Sequence, residues 1–124
     1  MRKDKSPHHE LGKKGEEIAR QHLLSLGYQI LETNWYFHHW ELDIVALDGE
    51  ELVIVEVKSR SSASYEHPSE AVTNKKIRFL VNAAEAYIFE HNVNRDTRFD
   101  VISIVFLGND FTLEHFKDAF YPTA

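Results

Sequence analysis

The sequence contains no cysteine. That excludes disulfides and thiolate metal ligands, and it fits a reducing cytoplasm. It has no apolar run near the roughly 20 residues that a membrane-spanning helix needs, so no membrane association is expected. The N-terminal segment 1–10 is basic and polar with no apolar stretch behind it, which excludes a secretory signal peptide and reads as a flexible tail. Internal repeats and linkers are also missing. The Ser-rich stretch at 59–64 is only loop-sized; it leads into Tyr65-Glu66-His67-Pro68, where Pro68 marks a turn or helix start. The 124 residues are therefore expected to form one domain. A chain of this size buries a core without covalent staples.

An excess of positive charge is the other absence. The formal net charge is −6 with histidine neutral, which argues against a simple basic nucleic-acid binder whose affinity comes from Lys and Arg on phosphates. It does not exclude an enzyme acting on nucleic acid, because a metal site needs carboxylates and a bound divalent ion supplies charge that composition does not count. The basic residues also cluster: Arg2, Lys3, Lys5, Lys13 and Lys14 near the start, Lys58 and Arg60 together, and Lys75, Lys76 and Arg78 together.

What is present reads as alternating helices and strands. Leu11, Gly15, Ile18, Ala19, His22 and Leu26 follow the three-to-four spacing of one buried helical face, and Gly27 suits the helix C-cap. Strands are expected over 28–37, 41–47 and 52–58, with Asp48-Gly49 as the hairpin signal between the last two and Asn34 a point of irregularity. A second helix over 73–90 carries the stripe Ile77, Leu80, Val81, Ala84, Tyr87 and Ile88. Strands over 99–107 and 111–116 follow, separated by Gly108-Asn109-Asp110. This order predicts an α/β fold with a mixed central sheet flanked by helices.

The middle hairpin carries the chemistry. A turn centred between Gly49 and Glu50 places Asp43 opposite Glu56 and Glu41 opposite Lys58. Strand alternation puts Glu41, Asp43, Val45 and Leu47 on one face with Leu52, Ile54, Glu56 and Lys58; the other face (Leu42, Ile44, Ala46, Val53, Val55, Val57) is wholly apolar. Two opposed carboxylates beside apolar neighbours are costly unless something compensates. Lys58 helps, and a divalent cation does more, since Mg²⁺ is typically held by one or two carboxylates and several waters. On the first helix Glu17 points about 160° from the centre of the apolar face and Glu16 about 100°, so Glu16 is the one expected to reach the sheet. The same geometry favours Lys76 over Lys75 on the second helix. A charged stripe on an exposed sheet face is the plain alternative.

Asp43 followed by Glu56-Val57-Lys58 after an apolar strand matches the signature of PD-(D/E)XK nucleases. Around it stand Gly12-x-x-Gly15-Glu16-x-x-Ala19, Gly27-Tyr28, Asn34-Trp35, Glu41-Leu42-Asp43, Lys58-x-Arg60, Ala71-Val72-Thr73, Lys76, Ala83-Ala84 and Arg98-Phe99-Asp100-Val101, in order. This pattern resembles the YraN-type (UPF0102) family of small bacterial proteins, which are similar to Holliday-junction resolvases. The resemblance implies a restriction-endonuclease-like αβββαβ core and Mg²⁺- or Mn²⁺-dependent hydrolysis of phosphodiester bonds in branched or structured DNA. It implies that Asp43 and Glu56, with the Val57 carbonyl, hold the metal. Lys58 would then act on the attacking water, and Glu16 would complete the site. Arg60, Lys76, Lys13 and Lys14 become candidates for contact with DNA, and a homodimer is expected for a resolvase. A nucleic-acid-binding or adaptor module without turnover, and a scaffold for a protein partner, are the competing readings.

Trp40 departs from the family pattern, which has glycine before the Glu-x-Asp motif; packing is the expectation, with stacking on a base as the alternative. The histidines His38 and His39 are expected in an exposed turn, and His8 and His9 in the tail. His22 reads as a core histidine, and Asp100 as an ion-pair partner of Arg60 or Arg98. Among the C-terminal aromatics Phe116, Phe120 and Tyr121, core packing is weighed against a dimer surface.

Overall fold

The structure, a computed structural model, describes residues 7–62 and 73–120. The elements are α1 (Pro7–Ser25), β1 (Gln29–Phe37), β2 (Trp40–Asp48), β3 (Glu51–Ser61), α2 (Asn74–Glu90), β4 (Thr97–Leu107) and β5 (Asp110–Phe116). They build the mixed α/β architecture that the pattern predicts, consistent with a restriction-endonuclease-like fold. The helix α1 starts a turn earlier than the apolar spacing shows, so His8 and His9 lie in it and not in a tail. Its first turn is polar and invisible to periodicity, and a proline suits the first helical position. The loop and turn read over 63–68, the Ala71-Val72 motif and Tyr121 lie outside the described residues.

The strands form one sheet in the order β1-β2-β3-β4-β5. All neighbours are antiparallel except β3 and β4, which run parallel and are joined through α2. The helix ends follow local chemistry. Tyr28 N–H donates to the Leu23 carbonyl and Gly27 N–H to that of Leu24, with Gly27 at φ +88°. This is the Schellman arrangement, which favours glycine because an L side chain is strained there. At the start of α2 the Thr73 hydroxyl accepts from the Lys76 amide at 3.1 Å.

The sheet is apolar on both faces. Under α1, Ala19 and Leu23 pack on Ile44, Ala46, Val53, Val55, Ile102 and Ile104. Under α2, Leu80, Ala83, Ala84 and Tyr87 pack on Leu42, Val45, Leu52, Ile54 and Phe99. Leu42 corrects the alternation argument: it belongs with Val45 and not with Ile44 and Ala46. The β2–β3 pairing runs from Asp48↔Glu51 to Ile44↔Val55 and ends there. Beyond that point β2 stays paired with β1 as far as Trp40, and β3 stays with β4 as far as Ser61. The two central strands thus diverge into a fork, and strict alternation along β2 stops at Asp43.

At Gly15 helix α1 lies tight against the sheet: an added Cβ would overlap the Ser59 side chain of β3. Ser59 Oγ is buried and has no hydrogen-bond partner among the described residues. This contact sets the height of Glu16, the next residue, above the sheet.

Away from the fork, a buried polar network ties five elements together, α1 and β2 to β5. Arg98 on β4 forms a bidentate pair with Asp100 at 2.8 and 3.0 Å, and donates to Asp48 at 3.0 Å, Glu51 at 3.1 Å and the Tyr28 hydroxyl at 2.7 Å. Asp100, fully buried, also accepts from His115 Nε2 at 2.7 Å and from the Asp118 amide at 3.0 Å. His115 Nδ1 in turn meets His22 Nε2 at 3.0 Å. Of the two partners expected for Asp100, the structure selects Arg98, and His22 has the part-buried, bonded role expected of it.

Both contacts can be tested by stability. Gly15→Ala forces a methyl group against β3 and should destabilise the fold by about 1–3 kcal/mol, read as a fall in Tm of several degrees. Burial raises the Asp100 pKa, but hydrogen bonds from His115, Arg98 and the Asp118 amide outweigh it and hold it at about 2. A folded pKa below the unfolded value gives stability that is present above about pH 4 and is lost as pH falls toward 2. Acid titration of unfolding free energy should show this slope in wild type, and Asp100→Asn should flatten it.

Candidate metal centre

The fork between β2 and β3 gathers the carboxylates. Carboxylate oxygens of Glu16, Glu41 and Asp43, all half-buried, lie within 4.8 Å of one another. Glu16 arrives from α1, while Glu41 and Asp43 come from β2 as it leaves the ladder. On β3, Glu56 is buried, at 5% exposure, and shares a hydrogen bond with Asp43. Because β2 has turned away, Asp43 Oδ2 accepts from the Val57 backbone N–H at 2.9 Å. A side chain thereby takes the place of a ladder bond, and Asp43 is held where the two strands part.

The partners of these groups describe how much charge is balanced. Lys76 Nζ from α2 lies 3.3 Å from Glu56. Asn34 Nδ2 donates to Glu16 Oε1 and Glu41 Oε2, both at 3.0 Å. Asn34 sits at φ +50° on β1, so the irregularity read in the sequence puts an amide between two carboxylates. Burial first, and then the charge of Glu56, pushes the Asp43 carboxyl far above its ordinary range, to about 9; the Val57 amide opposes this only partly. An acid so placed either holds a proton or gains a cation.

The donors are all oxygen. Carboxylates with room for water suit Mg²⁺ or Mn²⁺ and disfavour soft metals. The residues present therefore fit a hard divalent ion.

Each sequence-derived candidate has a place. Glu16 reaches the sheet, whereas Glu17 faces outward and pairs with Arg20 at 2.8 Å. Asp43 and Glu56 meet at the fork. Val57 enters through its amide, which is the contact the structure shows for it. Lys58 is half-buried two residues beyond Glu56, on the same side of β3 by alternation, and makes no ion pair among the described residues. Lys76 pairs with Glu56, whereas Lys75 lies over the Phe79 ring at 5.9 Å. Arg60 is half-buried beside Val105 on β4, and Lys13 and Lys14 are exposed on α1. Trp40 packs at the edge of the α2-side core and stacks on Phe37 at 5.7 Å. The histidines His38 and His39 are exposed at the turn. Phe120 stacks on Phe99 at 5.1 Å, while Phe116 stays exposed.

Glu41 is the site member that sequence reasoning missed. Alternation placed it opposite Lys58, one step from the Asp43–Glu56 pair. It joins the cluster because the β2–β3 ladder stops at Ile44. The signal that could have found it is the Glu41-Leu42-Asp43 spacing read together with the Asn34 irregularity across from it.

Residues 15–104 match the model of UPF0102, described as an uncharacterised protein family. A UPF0102 protein of Parabacteroides distasonis is 44% identical over 112 residues, spanning 90% of this chain and 93% of its own length. One from Bacteroides thetaiotaomicron is 46% identical over 115 residues, 93% of this chain and 95% of its own. Another, from Flavobacterium johnsoniae, is 45% identical over 120 residues, 92% of this chain and 96% of its own. With the fork, its carboxylates and near-full-length similarity in agreement, the chain belongs to the UPF0102 family.

Proposed function

We propose that this protein is a Mg²⁺- or Mn²⁺-dependent endonuclease that hydrolyses phosphodiester bonds in structured or branched DNA. The observation that carries the reading is the convergence of Glu16, Glu41, Asp43 and Glu56 on one strand fork, with Lys58 following on the same strand. Asp43, Glu56 and Glu16 would hold the ion, joined by Glu41. A bound divalent ion supplies Lewis acidity at the phosphoryl oxygen and a more acidic water.

The chain's own residues then have distinct tasks. The Val57 amide fixes Asp43 in one rotamer. Asn34 orients Glu16 and Glu41 and keeps them apart. Lys76 holds Glu56 against the fork and, with an ion bound there, would be free to contact a phosphate. Lys58 places its ammonium beside the reacting phosphate, where it orients the nucleophile and stabilises charge developing on phosphorus-bound oxygen. Lys13, Lys14 and Arg60 supply backbone contacts that position the strand without reading its sequence. Branched DNA as substrate and a homodimer with two sites rest on the family resemblance.

The metal is tested first, by thermal unfolding. At a hundredfold excess over Kd, Mg²⁺ or Mn²⁺ should stabilise the wild type by about 2.7 kcal/mol, a rise in Tm of the order of 10 °C. The Asp43→Asn/Glu56→Gln protein should show no rise. The pH dependence has a definite sign. The folded Asp43 value lies above the unfolded one, so its stabilising contribution is complete below about pH 4 and is lost as pH climbs toward 9. In metal-free protein Asp43→Asn should therefore raise Tm at pH 8, and apparent metal affinity in wild type should increase from pH 6 to 8 with proton release.

Cleavage is tested on a four-way junction and on a linear duplex. The wild type should nick the junction with Mg²⁺ or Mn²⁺ and not with EDTA. Lys58→Ala should lower the rate by about 10²–10⁴-fold while keeping metal binding. Equal DNA affinity in EDTA and in Mg²⁺, with no cleavage of either substrate, would establish the adaptor reading in its place.

A further inference from the structure

The β1–β2 hairpin runs past the carboxylate cluster and ends in a group of aromatic side chains that phosphodiester hydrolysis does not itself require. Tyr36 is paired directly across the ladder with Glu41, which puts both side chains on one face, and the neighbouring Glu41 carboxylate pushes the Tyr36 hydroxyl pKa up. The residue is 61% exposed. An aromatic side chain left open on a strand means little alone. This one stands directly across the ladder from a carboxylate of the cluster, which puts the ring beside the place where a phosphate would sit.

The other face of the hairpin end carries a second aromatic group, packed on α2. Phe37 stacks on Trp40, and Phe79 of α2 lies 6.5 Å from Trp40, ring to ring. The first turn of α2 carries no acidic residue, and Lys75, Lys76 and Arg78 are exposed along that helix.

We propose that Tyr36 is a stacking platform for an unpaired base next to the phosphate held at the cluster. The site then prefers nucleic acid with an unstacked nucleotide at that position over a continuous duplex. This rests on reading the cluster as a phosphodiester-hydrolysing metal site. The reason is geometric: inside a duplex both faces of a base are covered by its neighbours, so an aromatic ring can stack only on a base that has left the helix. Stacking of one base on an aromatic side chain is worth about 1–3 kcal/mol, which is roughly a 5- to 150-fold preference.

The test measures binding apart from cleavage. In the Lys58→Ala background, which keeps every carboxylate, fluorescence anisotropy with Mg²⁺ compares a duplex carrying a two-nucleotide unpaired bulge with the same duplex fully paired. We expect at least about a fivefold preference for the bulged DNA. Tyr36→Ala should abolish it and Tyr36→Phe, which keeps the ring and loses the hydroxyl, should retain most of it. Tyr36 is exposed, so Tm should move little in either variant. Equal affinity for the two DNAs, a preference that survives Tyr36→Ala, or no binding to either DNA would overturn the stacking role. Cleavage by wild type of a fully paired duplex would leave the hydrolase reading standing even then, and absence of all metal-dependent cleavage would defeat that reading even if the stacking preference were found.

Discussion

The site depends on one unfavourable juxtaposition: Asp43 and Glu56 share a hydrogen bond where two strands part, among apolar side chains. Like charges brought together away from water repel, and burial adds a desolvation cost to each. The fold accommodates the pair by local means. The Val57 amide bonds Asp43, Lys76 reaches Glu56, and Asn34 separates the two outer carboxylates. These contacts leave Asp43 favouring its protonated form. A centre arranged this way is poised for a cation, because the ion relieves repulsion that the chain has otherwise only partly balanced.

The same constraint explains why the fork exists. Had β2 and β3 remained in register past Ile44, alternation would have left Asp43 facing Glu56 directly and sent Leu42 beneath α1. Instead Leu42 packs on the α2 side, and the free end of β2 carries Glu41 and Asp43 toward Glu16. The divergence is held from both sides, by the pairing of β1 with β2 as far as Phe37↔Trp40 and of β3 with β4 as far as Ser61↔Phe106. The close seat of Gly15 on Ser59 then brings the helix within reach. The carboxylate centre is thus made by backbone pairing choices as much as by acidic residues.

Much of this was legible in the sequence, for identifiable reasons. The Asp48-Gly49 hairpin signal placed the turn centre between Gly49 and Glu50, and the pairs from Ile44↔Val55 to Asp48↔Glu51 are the ones that centre implies. Helical periodicity separated Glu16 from Glu17 and Lys76 from Lys75, since a turn of helix resolves neighbours by about 100°. What escaped was the place where a period fails. Alternation gives no warning of where a ladder ends, so Glu41 and Leu42 were assigned by a rule that no longer held. The polar first turn of α1 escaped for a similar reason: a residue that buries nothing leaves no hydrophobic period to read. The Arg98 network was visible only as a candidate ion pair, because its other members lie far apart in the chain.

That network bears on the site without touching it. Arg98 pairs with Asp100, Asp48 and Glu51 at the closed end of the β2–β3 hairpin, while the open end carries the carboxylate cluster. A hairpin clamped at one end and repelled at the other can part only at the second, so the polar network directs the strain of the acidic cluster into the fork rather than into unfolding of the turn. The net charge of −6 has the same division. Acidic groups at the closed end converge on arginine, whereas Glu41 and Asp43 at the open end make no ion pair among the described residues, and it is this local difference, not the total, that a divalent cation would address.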